Sequence, residues 1–139
     1  MSNPEEMGVI AKSEKLITLY SHPSHHLTTK CLAVAKASKA NVEFVDIEKT
    51  KLTGTVWKEL AEMLGVKVDN LIAKNHPSFL DKYGKDVSLT EESAIKFLQH
   101  DSIVLAHPIA VRGEKAIQAT NSNDIMKLHK PDSKDAKLP

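Results

Sequence analysis

The order strand, helix, strand between residues 16 and 47 constrains the fold of this chain more than any other feature of its sequence. Leu16-Ile17-Thr18-Leu19-Tyr20 is rich in residues that suit a pleated surface, and Ser21-His22-Pro23-Ser24 bounds it. The proline stops a strand and the serine can cap a helix starting just after it. From residue 25 to 39, Leu27, Cys31, Val34, Ala35 and Ser38 recur at three- and four-residue spacing. That spacing predicts a helix of about four turns with Cys31 on its buried face. Val42-Glu43-Phe44-Val45-Asp46-Ile47 supplies a second strand. Connections this short on either side of a helix make the two strands parallel and the crossover right-handed.

After this unit the chain reads as helical and then as a hairpin. Thr53 or Thr55 can cap a helix over residues 56–64 in which Trp57, Leu60, Ala61 and Leu64 share one face, with Gly65 ending it. A shorter helix is expected over residues 68–73 and another turn over 78–83, closed by Gly84. Leu89-Thr90-Glu91-Glu92 opens a further helix, with Ala94, Phe97 and Leu98 inward. The β-prone runs on either side of Gly113 make a hairpin, since glycine supplies the positive φ of a tight turn. A last short helix from Ser122 or Asn123 to residue 129 would pack Ile125, Met126 and Leu128. Residues 130–139 have a composition that cannot bury itself and are expected to be a flexible tail. Residues 1–15 carry one apolar stretch, Val9-Ile10-Ala11, and make either a mobile arm or an added edge strand. The expected fold class is therefore α/β, a four-stranded mixed sheet in the order βαβ…ββα. One domain over residues 16–129 carries an all-helical insert at about 53–100.

Composition acts by exclusion. Lys and Arg number 19 against 18 Asp and Glu, so no global field draws in nucleic acid or an anionic membrane. No apolar run approaches the ~18 residues of a membrane span, and the first residues include Glu5 and Glu6 in place of a basic, apolar leader. A cytoplasmic monomer that binds neither nucleic acid nor membrane is expected. The single cysteine, Cys31, excludes an intramolecular disulfide and any Cys-x-x-Cys pair. On the buried face of a helix it reads as a small hydrophobe, with a redox role as the alternative. Trp57, at an inward helical position, reads as core.

Several stretches, in order, carry a family resemblance. Leu19-Tyr20 ends the first strand and Pro23 stands just ahead of the first helix. Leu71-Ile72-Ala73-Lys74-Asn75 lies in the insert, and His107-Pro108-Ile109-Ala110-Val111 opens the hairpin. Together they resemble the ArsC/Spx group of arsenate reductase-like proteins over roughly residues 16–128. The resemblance implies a thioredoxin-like fold and a cis bond before Pro108. It also implies a nucleophilic cysteine at the head of the first helix, its pKa lowered by the helix end, with arginines around the oxyanion. In this sequence His25 occupies the cysteine's position. The arginine of the insert falls on Ala73, the one before the proline on His107, and the one in the hairpin near Lys115. The Spx-type Cys-x-x-Cys switch falls on His25 and Thr28. Arsenate reduction by the family mechanism is therefore not expected.

What remains is binding chemistry. His22, His25 and His26 cluster at the helix start, and the resemblance puts His107 across from them. These four imidazoles could hold zinc, copper or nickel, with Ser24 or water completing the shell. The plain alternative is a polar, exposed turn. An anion could instead rest on the backbone amides of His25, His26 and Leu27 beside His107 and Pro108, with Lys115, Arg112 and Lys74 as a basic rim or simply as solvated charge. Two functions are compatible with these residues. One is a non-catalytic, arsenate reductase-like binding module for a protein or small anion. The other is a thiol-linked oxidoreductase of the ArsC/glutaredoxin type that works through Cys31 or through glutathione held beside Pro108. An Spx-like transcription adaptor is a third, with no residue specifying its partner.

Overall fold

The computed structural model describes residues 6–7, 10 and 14–128. Its strands are β1 (Glu6–Met7), β2 (Ile17–Ser21), β3 (Val42–Asp46), β4 (Lys51–Leu52), β5 (Ile109–Arg112) and β6 (Lys115–Gln118). Its α-helices are α1 (Thr28–Ala37), α2 (Gly54–Leu64), α3 (Pro77–Tyr83) and α4 (Glu91–His100). Three 3-10 helices cover Val68–Leu71, Ser102–Val104 and Ser122–Lys127. Four strands form one mixed sheet in the order β3-β2-β5-β6. β2 runs parallel to β3, from Ile17 against Val42 to Ser21 against Asp46. β5 runs antiparallel to β2, with Tyr20 opposite Ile109 and Thr18 opposite Val111. β6 returns antiparallel to β5 through Gly113, whose φ of 60° only glycine adopts readily. This is the thioredoxin-like plan expected from the sequence.

The sheet separates two apolar clusters. On one side Ile17, Leu19 and Ala110 pack with Cys31 and Ala35 of α1 and with Ile125. On the other, Tyr20, Ile109 and Val111 meet Trp57, Leu60, Phe79 and Phe97 of the helical insert. Each large aliphatic side chain so buried stabilises the fold by about 1.5–3 kcal/mol. Helix ends follow their local chemistry. The Thr53 hydroxyl accepts the Val56 N–H at 3.3 Å to start α2, and Gly65 ends it at φ 71°. Thr90 does the same for α4 through the Ser93 N–H at 3.2 Å. Among the described residues no helix is long and apolar enough to cross a membrane.

Four departures from expectation have physical reasons. α1 begins at Thr28 and not at His25, because the preceding turn uses its own amides. The helix expected over 68–73 ends at Leu71, and residues 71–73 instead pair with 104–106. Ala73 N–H donates to Val104 O at 2.7 Å, and Ala106 N–H to Leu71 O at 2.8 Å. The expected cis bond is absent, since the described residues contain no cis peptide. Trans is the intrinsically favoured form by ~0.5–1 kcal/mol. Finally, residues 6–7 form an edge strand, but in a separate parallel pair with β4, a strand not anticipated from the sequence. Ile10 is buried in the insert-side cluster. Val9, Ala11, His129 and the expected tail at 130–139 lie outside the described residues.

Candidate functional site

β2 delivers the chain at Ser21, and residues 22–27 must turn it into α1 with no side-chain cap at Leu27. The turn satisfies its polar groups internally. His25 N–H donates to His22 O and Thr28 N–H to His25 O, each at 3.1 Å. The buried Thr28 hydroxyl donates to His22 O at 2.8 Å, which spends its one proton. The Ser21 hydroxyl, 2.8 Å from Thr28 Oγ1, is therefore the donor in that pair. This ladder ties the head of α1 to the end of the central strand.

His25 fastens the turn to the segment before the hairpin. Its Nδ1 accepts the Leu27 N–H at 3.1 Å, so the ring proton sits on Nε2, which lies 2.8 Å from Ala106 O. Both ring nitrogens are thus committed to backbone. Burial pushes this imidazole below its ordinary pKa; the Ala106 bond opposes that, while His26 and His107 add to it. His26, exposed, stacks on His25 with ring centres 4.7 Å apart, and His22 meets His25 edge-on at 5.6 Å. His22 is only 4% exposed, and neither of its ring nitrogens has a hydrogen-bond partner. Burial lowers its pKa as well, with His25 and His76 in the same direction and Asp46 against them.

These rings wall a pocket of about 420 Å³ that also takes in His76, Glu48 and Ala106. His76 did not emerge from the sequence as a site residue. Its ring Nδ1 accepts the Ser78 N–H at 3.1 Å at the start of α3, and the order His, Pro, Ser was the available signal for a capped start.

Other candidates fall elsewhere. His107 is half-buried and close enough to bias His25, but it does not line the pocket. Leu27 is buried in the α1-side cluster and Pro108 is buried. Of the three amides expected to cradle an anion over residues 25–27, those of His25 and Leu27 are spent within the turn. Lys115 pairs with Arg112 at the far end of the hairpin, beside Glu14 and Leu128, three residues along β5 from Ile109. At ~3.4 Å per residue that is about 10 Å along the strand from the end beside Tyr20. Arg112 donates to Glu14 O at 2.7 Å and to Leu128 O at 3.0 Å, and Lys74 pairs with Asp69. The basic rim is therefore absent from the pocket. Among the described residues no group of three or more His, Cys, Asp or Glu is arranged to hold a metal ion, so His22, His25, His26 and His107 do not form the expected metal shell. The reason is local: binding a metal through either His25 nitrogen would break a backbone hydrogen bond. Cys31 is fully buried, and burial raises its thiol pKa, with Asp124 adding to the effect.

No protein-family model matches the chain, and no curated protein matches it. Solved structures do. The arsenate reductase from Vibrio cholerae superposes with a TM-score of 0.74 at 14% identity, over 84% of this chain and 100% of that one. A Yersinia pestis protein provisionally described as an arsenate reductase gives 0.72 at 19% identity, over 80% and 98%. An arsenate reductase (ArsC) related protein from Brucella melitensis gives 0.62 at 13% identity, over 84% and 97%. At such identities the likeness establishes the fold.

Proposed function

We propose that this chain is a binding module on an arsenate reductase-like fold, and not a thiol reductase. Its ligand, a protein segment, would dock at the histidine-lined pocket beside the end of β2, where a small anion would meet Glu48 and, among the described residues, no lysine or arginine. The observation that carries this reading is the commitment of His25. Reducing arsenate through a thiol requires a sulfur that attacks arsenic and then leaves in a mixed disulfide. The residue that the resemblance puts in that position, His25, is an imidazole whose two nitrogens are held by Leu27 N–H and Ala106 O. The chain's one thiol, on Cys31, is buried and disfavoured as a thiolate.

The test is arsenate turnover with glutathione and glutaredoxin, alongside alkylation of the native protein by iodoacetamide. No turnover above the enzyme-free control and no modification of Cys31 before unfolding are expected. Turnover lost in Cys31→Ser would instead establish the thiol-linked oxidoreductase.

A further inference from the structure

We infer that the His25 ring is a proton-operated latch within its own turn: neutral, it holds the Leu27 amide while donating to Ala106 O, and doubly protonated it releases the Leu27 amide and keeps Ala106 O. The inference goes beyond the binding reading and does not depend on it. It rests on the tautomer that the two hydrogen bonds impose. With the proton on Nε2, the ring donates to Ala106 O at 2.8 Å and accepts the Leu27 N–H at 3.1 Å. One further proton must go to Nδ1, the nitrogen that faces the Leu27 amide. Two N–H groups then point at each other, and the contact turns from attraction to repulsion. Relief requires the ring to turn away from Leu27 or the turn to swing out.

The surroundings oppose a compromise. His26 stacked at 4.7 Å, His22 edge-on at 5.6 Å and the neighbouring His107 all become like charges if they protonate. His22 cannot absorb the proton in place, because its buried ring has no partner to stabilise a charge. Facing His22 are His76 from the start of α3 and Asp46 from the end of β3, and Glu48 lies on the pocket wall. Asp46 already accepts the Glu48 N–H at 2.9 Å. Opening the turn gives both imidazoles access to water, which is the state that acid favours.

The experiment follows the full-length chain by ¹H–¹⁵N NMR between pH 7.5 and 5.0. Long-range spectra should show His25 as the Nε2–H tautomer at pH 7.5. The protection factor of the Leu27 amide, corrected for intrinsic exchange, should fall severalfold by pH 5.5, towards the roughly tenfold ceiling that one proton sets. His25→Gln, which cannot titrate, should remove that pH dependence, whereas His26→Gln should keep it. A Leu27 protection factor constant across the range would overturn the inference, as would an Nδ1–H tautomer at pH 7.5 or a transition that persists in His25→Gln. The tautomer and the wild-type profile decide the matter even if His25→Gln does not fold.

Discussion

Replacing Thr28 with valine tests how α1 is anchored to the sheet. The substitution keeps the shape of the side chain and removes one hydroxyl, 2% exposed, that donates to His22 O and accepts from Ser21 Oγ. His22 O retains the His25 N–H at 3.1 Å, so the group left without its partner is the fully buried Ser21 hydroxyl. An unmet buried polar group costs about 1–3 kcal/mol, and the added methyl returns ~0.8 kcal/mol. Thr28→Val should therefore destabilise by roughly 0.2–2 kcal/mol, each kcal/mol being worth about 2–4 °C in Tm for a chain of this length. Adding Ser21→Ala removes the orphaned hydroxyl. The double variant should then be less destabilised than the sum of the singles by ~1 kcal/mol. Urea unfolding followed by the fluorescence of Trp57, the only tryptophan and 1% exposed, measures both quantities. No loss of stability in Thr28→Val, or strict additivity with Ser21→Ala, would refute the ladder as an energetic element.

Three further outcomes are expected. His22 and His25 are held below the ordinary value of 6.5, so the unfolded chain binds protons first and stability falls as pH drops below that value. The loss is bounded by ~1.4 kcal/mol per pH unit per histidine and ends below the folded pKa values. Urea melts at pH 7.5, 6.5 and 5.5 should show it, and a profile level across that range would contradict the burial argument. Hydrogen bonds from the Thr120 N–H and hydroxyl hold Asp124 at about 2, so its contribution is present above 3.8 and lost as pH falls from there towards 2. Asp124→Asn should cost about 0.5–2 kcal/mol at neutral pH, as loss of a helix cap does, and should flatten the acid limb; an unchanged limb would count against the assignment. Gly65→Ala meets no atom within 4 Å but must hold φ 71°. It should lose about 1–2 kcal/mol through backbone strain alone, and a stabilised variant would show that α2 ends differently.

Much of this architecture is legible in the sequence itself. The change from two-residue to three- and four-residue periodicity marks β2, α1 and β3, and Thr53, Gly65 and Thr90 mark the two ends of α2 and the start of α4 because capping is local chemistry. The site is legible only in part. His22, His25 and His26 are neighbours in sequence, so their meeting requires no tertiary knowledge. Bringing in Ala106 and His76 requires the pairing of residues 71–73 with 104–106, which no local pattern encodes. The late start of α1 is hidden for a related reason: periodicity does not show that a histidine side chain will take the Leu27 amide. The place of Lys115 is hidden because spacing in the hairpin does not say which end of β5 lies beside Tyr20; the antiparallel register does.

β2 belongs to both apolar clusters at once, giving Ile17 and Leu19 to one and Tyr20 to the other. The two halves of the protein therefore share a wall, and they are stitched together at one end of it, where His25 holds Ala106 O and the turn shares a pocket with His76 of the insert. A substitution in the insert at His76 or Ala73 is thus felt first at that seam, and one at Leu60 or Phe97, deep in the insert-side cluster, last.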